Sequence, residues 1–98
     1  MSRYYELIKE STPVSRAKKL RFDQSQRVYF ASCHNHAGIQ ILSEASGLLL
    51  TLSDGRKSLA EIVQQLSSTF NVAESAVEDT VVIEVRNLQR KHLLYLEV

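Results

Sequence analysis

Cys33-His34-Asn35-His36 is the densest cluster of reactive side chains in this 98-residue sequence. Cys and His are good zinc ligands, but a structural zinc site takes four, usually as spaced pairs. Beyond this run the sequence offers one further histidine, His92. The cluster therefore reads as a polar hairpin loop, and no metal is expected. A Cys-His nucleophile pair fares no better, because adjacent residues on extended chain point apart and no acid is marked to orient the imidazole. Glu78-Asp79 is a carboxylate pair, yet at the start of a helical segment it suits the helix dipole better than acid–base work. Gly38, Gly47 and Gly55 are scattered, so there is no glycine-rich phosphate loop. Lys18-Lys19 with Arg21 could touch phosphate, but their setting on an extended segment fits a solvated strand face. No catalytic residue and no cofactor are expected.

Composition narrows the class further. One domain with a modest core is expected at this length. Apolar residues are 44% and charged residues 23%, ordinary globular values. No apolar run approaches about 18 residues, so neither a membrane span nor a membrane partner is expected. The start, MSRYYELIKESTP, lacks the apolar stretch and small-residue cleavage site of a secretory signal. A single cysteine forbids an internal disulfide and fits a reducing compartment, with the cytoplasm as the default. The net charge of +1 is unevenly spread: residues 1–57 carry nine Lys/Arg against five Asp/Glu, and residues 58–98 three against six.

These residues must be positioned by a small set of elements. Residues 1–16 hold the only proline, Pro13, and read as an arm; Tyr4, Leu7 and Ile8 could form one helical turn docked on the body. Lys18–Asp23 alternates Leu20 and Phe22 against Lys19 and Arg21. Arg27–Ser32 holds the strand formers Val28, Tyr29 and Phe30. Gly38–Leu42 puts Ile39 and Ile41 on one face and Gly38, Gln40 and Leu42 on the other. Joined by polar loops, these three make an antiparallel meander.

Three helices are expected next. The first spans about Glu44–Ser53 with Ser43 as N-cap; Gly47 within it weakens the helix by roughly 1 kcal/mol relative to alanine and signals close packing. Asp54-Gly55 then stops it, since Gly55 can take the left-handed conformation. Ser58 and Glu61 form the S-x-x-E capping box of a second helix, Leu59–Phe70, with Leu59, Ile62, Val63 and Leu66 on its apolar face. The third, Glu74–Lys91, carries Val77, Val81, Val85 and Leu88 on one stripe with Asp79, Arg86 and Arg90 opposite. Val82 and Ile83 fall beside the stripe, free to face a groove or solvent. The tail Leu93–Val98 alternates weakly and reads as a short strand or packed coil. The fold class is α+β: a winged helix-turn-helix-like arrangement, with a three-stranded antiparallel sheet followed by a three-helix bundle.

Leu50-Thr51-Leu52-Ser53-Asp54-Gly55 followed by Ser58-Leu59-Ala60-Glu61-Ile62 resembles the central signature of PqqD-like proteins, the recognition elements of ribosomally made, post-translationally modified peptides (RiPPs). Leu42-Ser43 resembles the leucine-asparagine pair that leads into the family's first helix. Val81, Glu84, Val85, Leu88, His92, Leu93 and Leu94 resemble its closing pattern, with Glu84 where the family often has an aromatic and His92 where it usually has glycine. The likeness runs over residues 18–96. It implies a non-catalytic domain, residues 17–98 after the arm 1–16, that holds the leader of a precursor peptide for a modifying enzyme, often a radical S-adenosylmethionine (SAM) protein. The leader would add as a strand to the third β-strand and lie against the third helix. The implied peptide-binding residues are Gly38, Ile39, Gln40, Ile41 and Leu42 on the strand, with Val82, Ile83 and Arg86 on the helix. GIQIL fits that role, since it lacks the charge and proline that normally protect a strand edge.

The runner-up is a winged-helix DNA-binding regulator, with the third helix reading bases. Charge argues against it, and against any nucleic-acid partner. Recognition helices bring donors and cations to the groove from their N-terminal end, where this helix has Glu74, Glu78, Asp79 and Glu84. A scaffold subunit binding only another protein is the third class; it differs by having no peptide substrate.

Overall fold

A computed structural model of the chain describes residues 3–33 and 36–98, so His34 and Asn35 of the polar cluster lie outside the described residues. The elements run α1 (Arg3–Ile8), β1 (Thr12–Ser15), β2 (Ala17–Asp23), β3 (Val28–Cys33), β4 (His36–Leu42), α2 (Glu44–Leu52), α3 (Leu59–Phe70), α4 (Glu74–Arg90) and β5 (Leu94–Glu97). β2, β3 and β4 form the expected antiparallel meander. Its first turn is held by Asp23, whose Oδ1 accepts from the Ser25 amide and hydroxyl and from the Gln26 amide. The Ser25 hydroxyl bond does most to hold that carboxyl below its usual pKa. Cross-strand rows set the two faces: Leu20–Ala31–Gln40 and Phe22–Tyr29–Leu42 turn toward the helices, and Arg21–Phe30–Ile41 turns away.

The helices begin where local chemistry places them. Ser43 Oγ accepts from the Ser46 amide to cap α2. Ser58 and Glu61 close a reciprocal capping box on α3. Asn71 ends α3 in the left-handed conformation. Gly47 sits face-on to the Tyr29 ring, with no room for a Cβ, so the glycine seats α2 on the sheet. Val77, Val81, Val85 and Leu88 of α4 enter the core as their spacing predicts, together with Leu49, Leu50, Leu59, Ile62 and Val63.

The N-terminal segment forms the expected docked helical turn as α1 and adds a strand that was not expected, β1. α1 packs inward through Tyr5 and Ile8, whereas Leu7 is 80% exposed. Tyr5, with Tyr4 half-buried beside it, therefore takes the inward place expected of Leu7. β1 pairs antiparallel with β5 from Thr12↔Glu97 to Ser15↔Leu94, a second, two-stranded sheet, and it also covers the turn after α2. There the Ser15 amide donates to Ser53 O and the Gly55 amide to Pro13 O, at 2.8 and 3.2 Å. Gly55 has φ +81°, the conformation for which glycine is needed. Asp54 Oδ1 accepts from the Arg56 amide at 2.9 Å, the main cause holding its carboxyl below the usual range. The Leu59 and Ala60 amides, orphan donors at the start of α3, bond the carbonyls of Ser11 and Lys9.

Because the capping box acts on an exposed helix start that backbone carbonyls also support, Ser58→Ala should destabilise the protein by about 1 kcal/mol. The denaturant midpoint should fall with m unchanged; an unshifted midpoint would show that the carbonyls of Ser11 and Lys9 suffice.

Candidate functional site

β4 is the edge of the three-stranded sheet, in the order β2-β3-β4, and the two edges differ. β2 carries exposed Lys18, Lys19 and Arg21 and a register shift between Ala17 and Lys19, features that discourage further pairing. From Gly38 to Leu42, β4 carries no charge. Ile39 is 70% and Ile41 64% exposed, a large apolar surface for so short a strand. Gln40 is half-buried on the helix side, and Leu42 is 2% exposed within the core. Gly38 is exposed with φ +92°, where the β3–β4 register also shifts between Ala31 and Cys33. The regularly paired part of the edge is thus Gln40–Leu42.

The helix candidates separate. Val82, free by sequence to face a groove, is 8% exposed and belongs to the core. Arg86, one helical turn on, places its guanidinium 4.5 Å from the Tyr4 ring centroid. Both lie on the face of α4 that meets α1, which the periodicity of α4 alone does not reveal. Ile83 is 59% exposed. The structure therefore keeps the five β4 residues together, leaves Ile83 open, and turns Val82 and Arg86 toward α1.

Glu84 fixes α4 beside the end of β4. One carboxylate oxygen accepts from the Ser43 and Ser46 hydroxyls at 3.1 and 2.9 Å, and the other from Asn87 Nδ2 at 3.0 Å. Ser43 directly follows Leu42, so these bonds join α4, the start of α2 and the exit of β4. At the far end of α4, His92 takes the left-handed conformation with φ 60°, and its carbonyl accepts from Cys33 Sγ at 3.3 Å. The chain thus makes at His92 the turn for which glycine is the common choice, and histidine is among the residues that tolerate it.

An open apolar pocket of about 580 Å³ lies between α2, the end of α3 and the first half of α4, with no direct sign of it in the sequence. Leu48, Leu49, Leu66, Phe70, Val77 and Val81 line it. Its polar lining includes Glu84 and the Arg27–Glu44 ion pair, closed at 2.7 Å. Phe70 and Val72 remain exposed beside it. The available signal was the run Leu48-Leu49-Leu50, which spreads apolar side chains wider than one core stripe. Since Glu84 both lines the pocket and bonds Ser43, the pocket starts where β4 ends.

Among the described residues no helix is long and apolar enough to cross a membrane. What the arrangement offers is an open strand edge running into an apolar pocket.

Comparison with known proteins places the fold. The family model for coenzyme PQQ synthesis protein D (PqqD) matches residues 35–94. The fold is similar to the solution NMR structure of the PqqD truncation of Methylobacterium extorquens PqqCD, which represents a functional and stand-alone RiPP recognition element. The two share 23% identity and a TM-score of 0.68 over 85% of this chain and 87% of that one, a likeness in fold. No curated protein sequence matches the chain.

Proposed function

The chain belongs to the PqqD family, and from that premise we propose that it is a non-catalytic peptide-binding protein that holds the leader of a ribosomally made precursor and presents it to a modifying enzyme. The observation that carries the reading is the β4 edge, uncharged from Gly38 to Leu42, with Ile39 and Ile41 exposed, beside an opposite edge guarded by Lys and Arg. The leader adds to β4 as a fourth strand through main-chain hydrogen bonds, and alternate side chains give register. Gly38, Ile39, Gln40, Ile41 and Leu42 supply the edge, and Ile83 supplies apolar contact from α4. The pocket at Leu48, Phe70 and Val81 takes side chains beyond the end of the added strand. Val82 and Arg86 contribute indirectly, by packing α4 against α1.

The partner is a modifying enzyme such as a radical SAM protein, and the site of action is the cytoplasm. Residues 17–98 form the peptide-binding domain and 1–16 its N-terminal arm, of which residues 3–16 pack on the domain. We read α2, α3 and α4 with the meander as a winged-helix-type arrangement.

The test is a titration of the protein with the leader of the precursor encoded beside it, and in parallel with duplex DNA. The expected result is a saturable leader complex at moderate ionic strength, and no tight DNA complex. DNA binding with a steep salt slope and no leader binding would overturn the reading in favour of a transcriptional regulator.

A further inference from the structure

We propose that β4 also pairs with β4 of a second copy of this chain, in an antiparallel two-fold arrangement centred on Gln40. The argument begins with Ile39-Gln40-Ile41, which reads the same in both directions about its middle residue. A two-fold axis through the Gln40–Gln40 pair sets Ile39 of one copy opposite Ile41 of the other, twice. An isologous interface requires this self-complementarity, since each residue must face its own symmetry mate. Directly opposed residues of an antiparallel pair share a face, so the two Ile pairs fall together on the face away from the helices. The Gln40 side chains meet on the helix side, where each amide can both donate and accept.

The sheet behind the edge supports the same pairing. In one copy Ile41 already sits in a cross-strand row with Phe30 and Arg21, and the Arg21 guanidinium lies 5.1 Å from the Phe30 ring centroid. Pairing extends that row to Arg21–Phe30–Ile41 followed by Ile39 of the second copy, and its mirror. Ile39 and Ile41, 70% and 64% exposed in a single copy, then cover each other. The cations stay at the outside. Lys18, Lys19 and Arg21 lie on β2, which becomes the two outer edges of a six-stranded sheet, so their charges do not meet at the seam. They also stop the sheet growing further, which closes the assembly at two copies. The ladder is short, because β4 pairs regularly with β3 only over Gln40–Leu42, the register shifting beyond Gln40 and Gly38 taking φ +92°, so the dimer is weak and opens readily. Self-pairing and leader addition use the same edge and exclude one another. That clause rests on the peptide-binding reading; the dimer itself does not.

The experiment measures mass by sedimentation equilibrium of the full chain over a wide concentration range, with no peptide present. The parent should rise from the mass of one chain toward that of two. Ile39→Lys combined with Ile41→Lys sets Lys against Lys at both outer positions and should remain a single chain. Ile39→Lys combined with Ile41→Glu sets Lys against Glu at both and should still associate, at least about tenfold more tightly than the Lys/Lys protein. Both positions are exposed, so neither variant disturbs the core. In the parent, amide exchange at residues 39–41 should slow as concentration rises. A parent that stays a single chain throughout overturns the proposal, as do two double variants that behave alike. Failure of leader binding in the separate titration leaves the dimer result unaffected.

Discussion

With Ile41 replaced by proline, leader affinity should fall by about tenfold or more. Strand addition draws its strength from main-chain bonds along the edge, each contributing about 0.5–1.5 kcal/mol net. Proline deletes one donor and fixes φ, which disrupts the bonds on either side of it. Two lost bonds then suffice for the tenfold change. The Ile41 side chain is exposed, so the effect comes through the backbone. Lys19→Pro is the control, with the same insult on the guarded edge of the same sheet. It should leave leader affinity within about twofold, and circular dichroism should report an intact fold for both proteins. Equal losses of affinity at both positions would mean that general damage to the sheet, rather than the β4 edge, governs binding.

That β4 could be singled out from the sequence follows from what a strand edge needs. An uncharged, proline-free pentapeptide with two β-branched residues reads as an unprotected strand, and neighbouring segments carry the charges that mark guarded or solvated faces. The helix half of the site was less legible. Val82 and Ile83 look alike beside the α4 stripe, and the periodicity cannot tell which of them a second partner covers. The structure supplies that partner in α1, with Tyr5 and Ile8 in the core and Tyr4 beneath Arg86. Tyr4, Leu7 and Ile8 suggest a docked turn but not which side chains it buries; six residues are too few to stand alone as a helix, so tertiary contacts decide which face turns inward. The pocket was illegible for a related reason. It is the space left between α2, α3 and α4, and spacing along one helix does not report distances between helices.

The fold divides along the same line. Elements with a local signal were found within a residue or two. Ser43 and Ser58 start α2 and α3 as N-caps, Gly55 and Asn71 take the left-handed conformations their residue types favour, and Gly47 lies hard against Tyr29. β1 had no such signal, and β5 only the weak alternation of Leu93–Val98. β1 is four residues long with Pro13 inside it, and its partner is some eighty residues away in sequence. Strand propensity over four residues is too weak a preference to reveal that pairing. It exists because the turn at Ser53–Gly55, the start of α3 and Leu93 all offer hydrogen-bonding groups that residues 9–16 satisfy.

Truncating Leu88 to alanine should destabilise the protein by about 2–5 kcal/mol, a large part of the stability of a domain this size. Leu88 is fully buried in α4, and the cavity left behind would open among the side chains that hold α4 in place. Val82→Ala removes a smaller core side chain and should also lower stability, by about 1–3 kcal/mol. Ile83→Ala should leave the denaturant midpoint nearly unchanged, since its side chain is largely in solvent. Leader binding separates these roles. At temperatures where all three variants are folded, Ile83→Ala should weaken the leader complex through lost apolar contact, and Val82→Ala should not. A scaffold with no peptide substrate would show the stability losses and nothing else. Parental leader affinity in Ile83→Ala would take Ile83 out of the contact surface, leaving the β4 edge and the pocket at its end to set affinity and register.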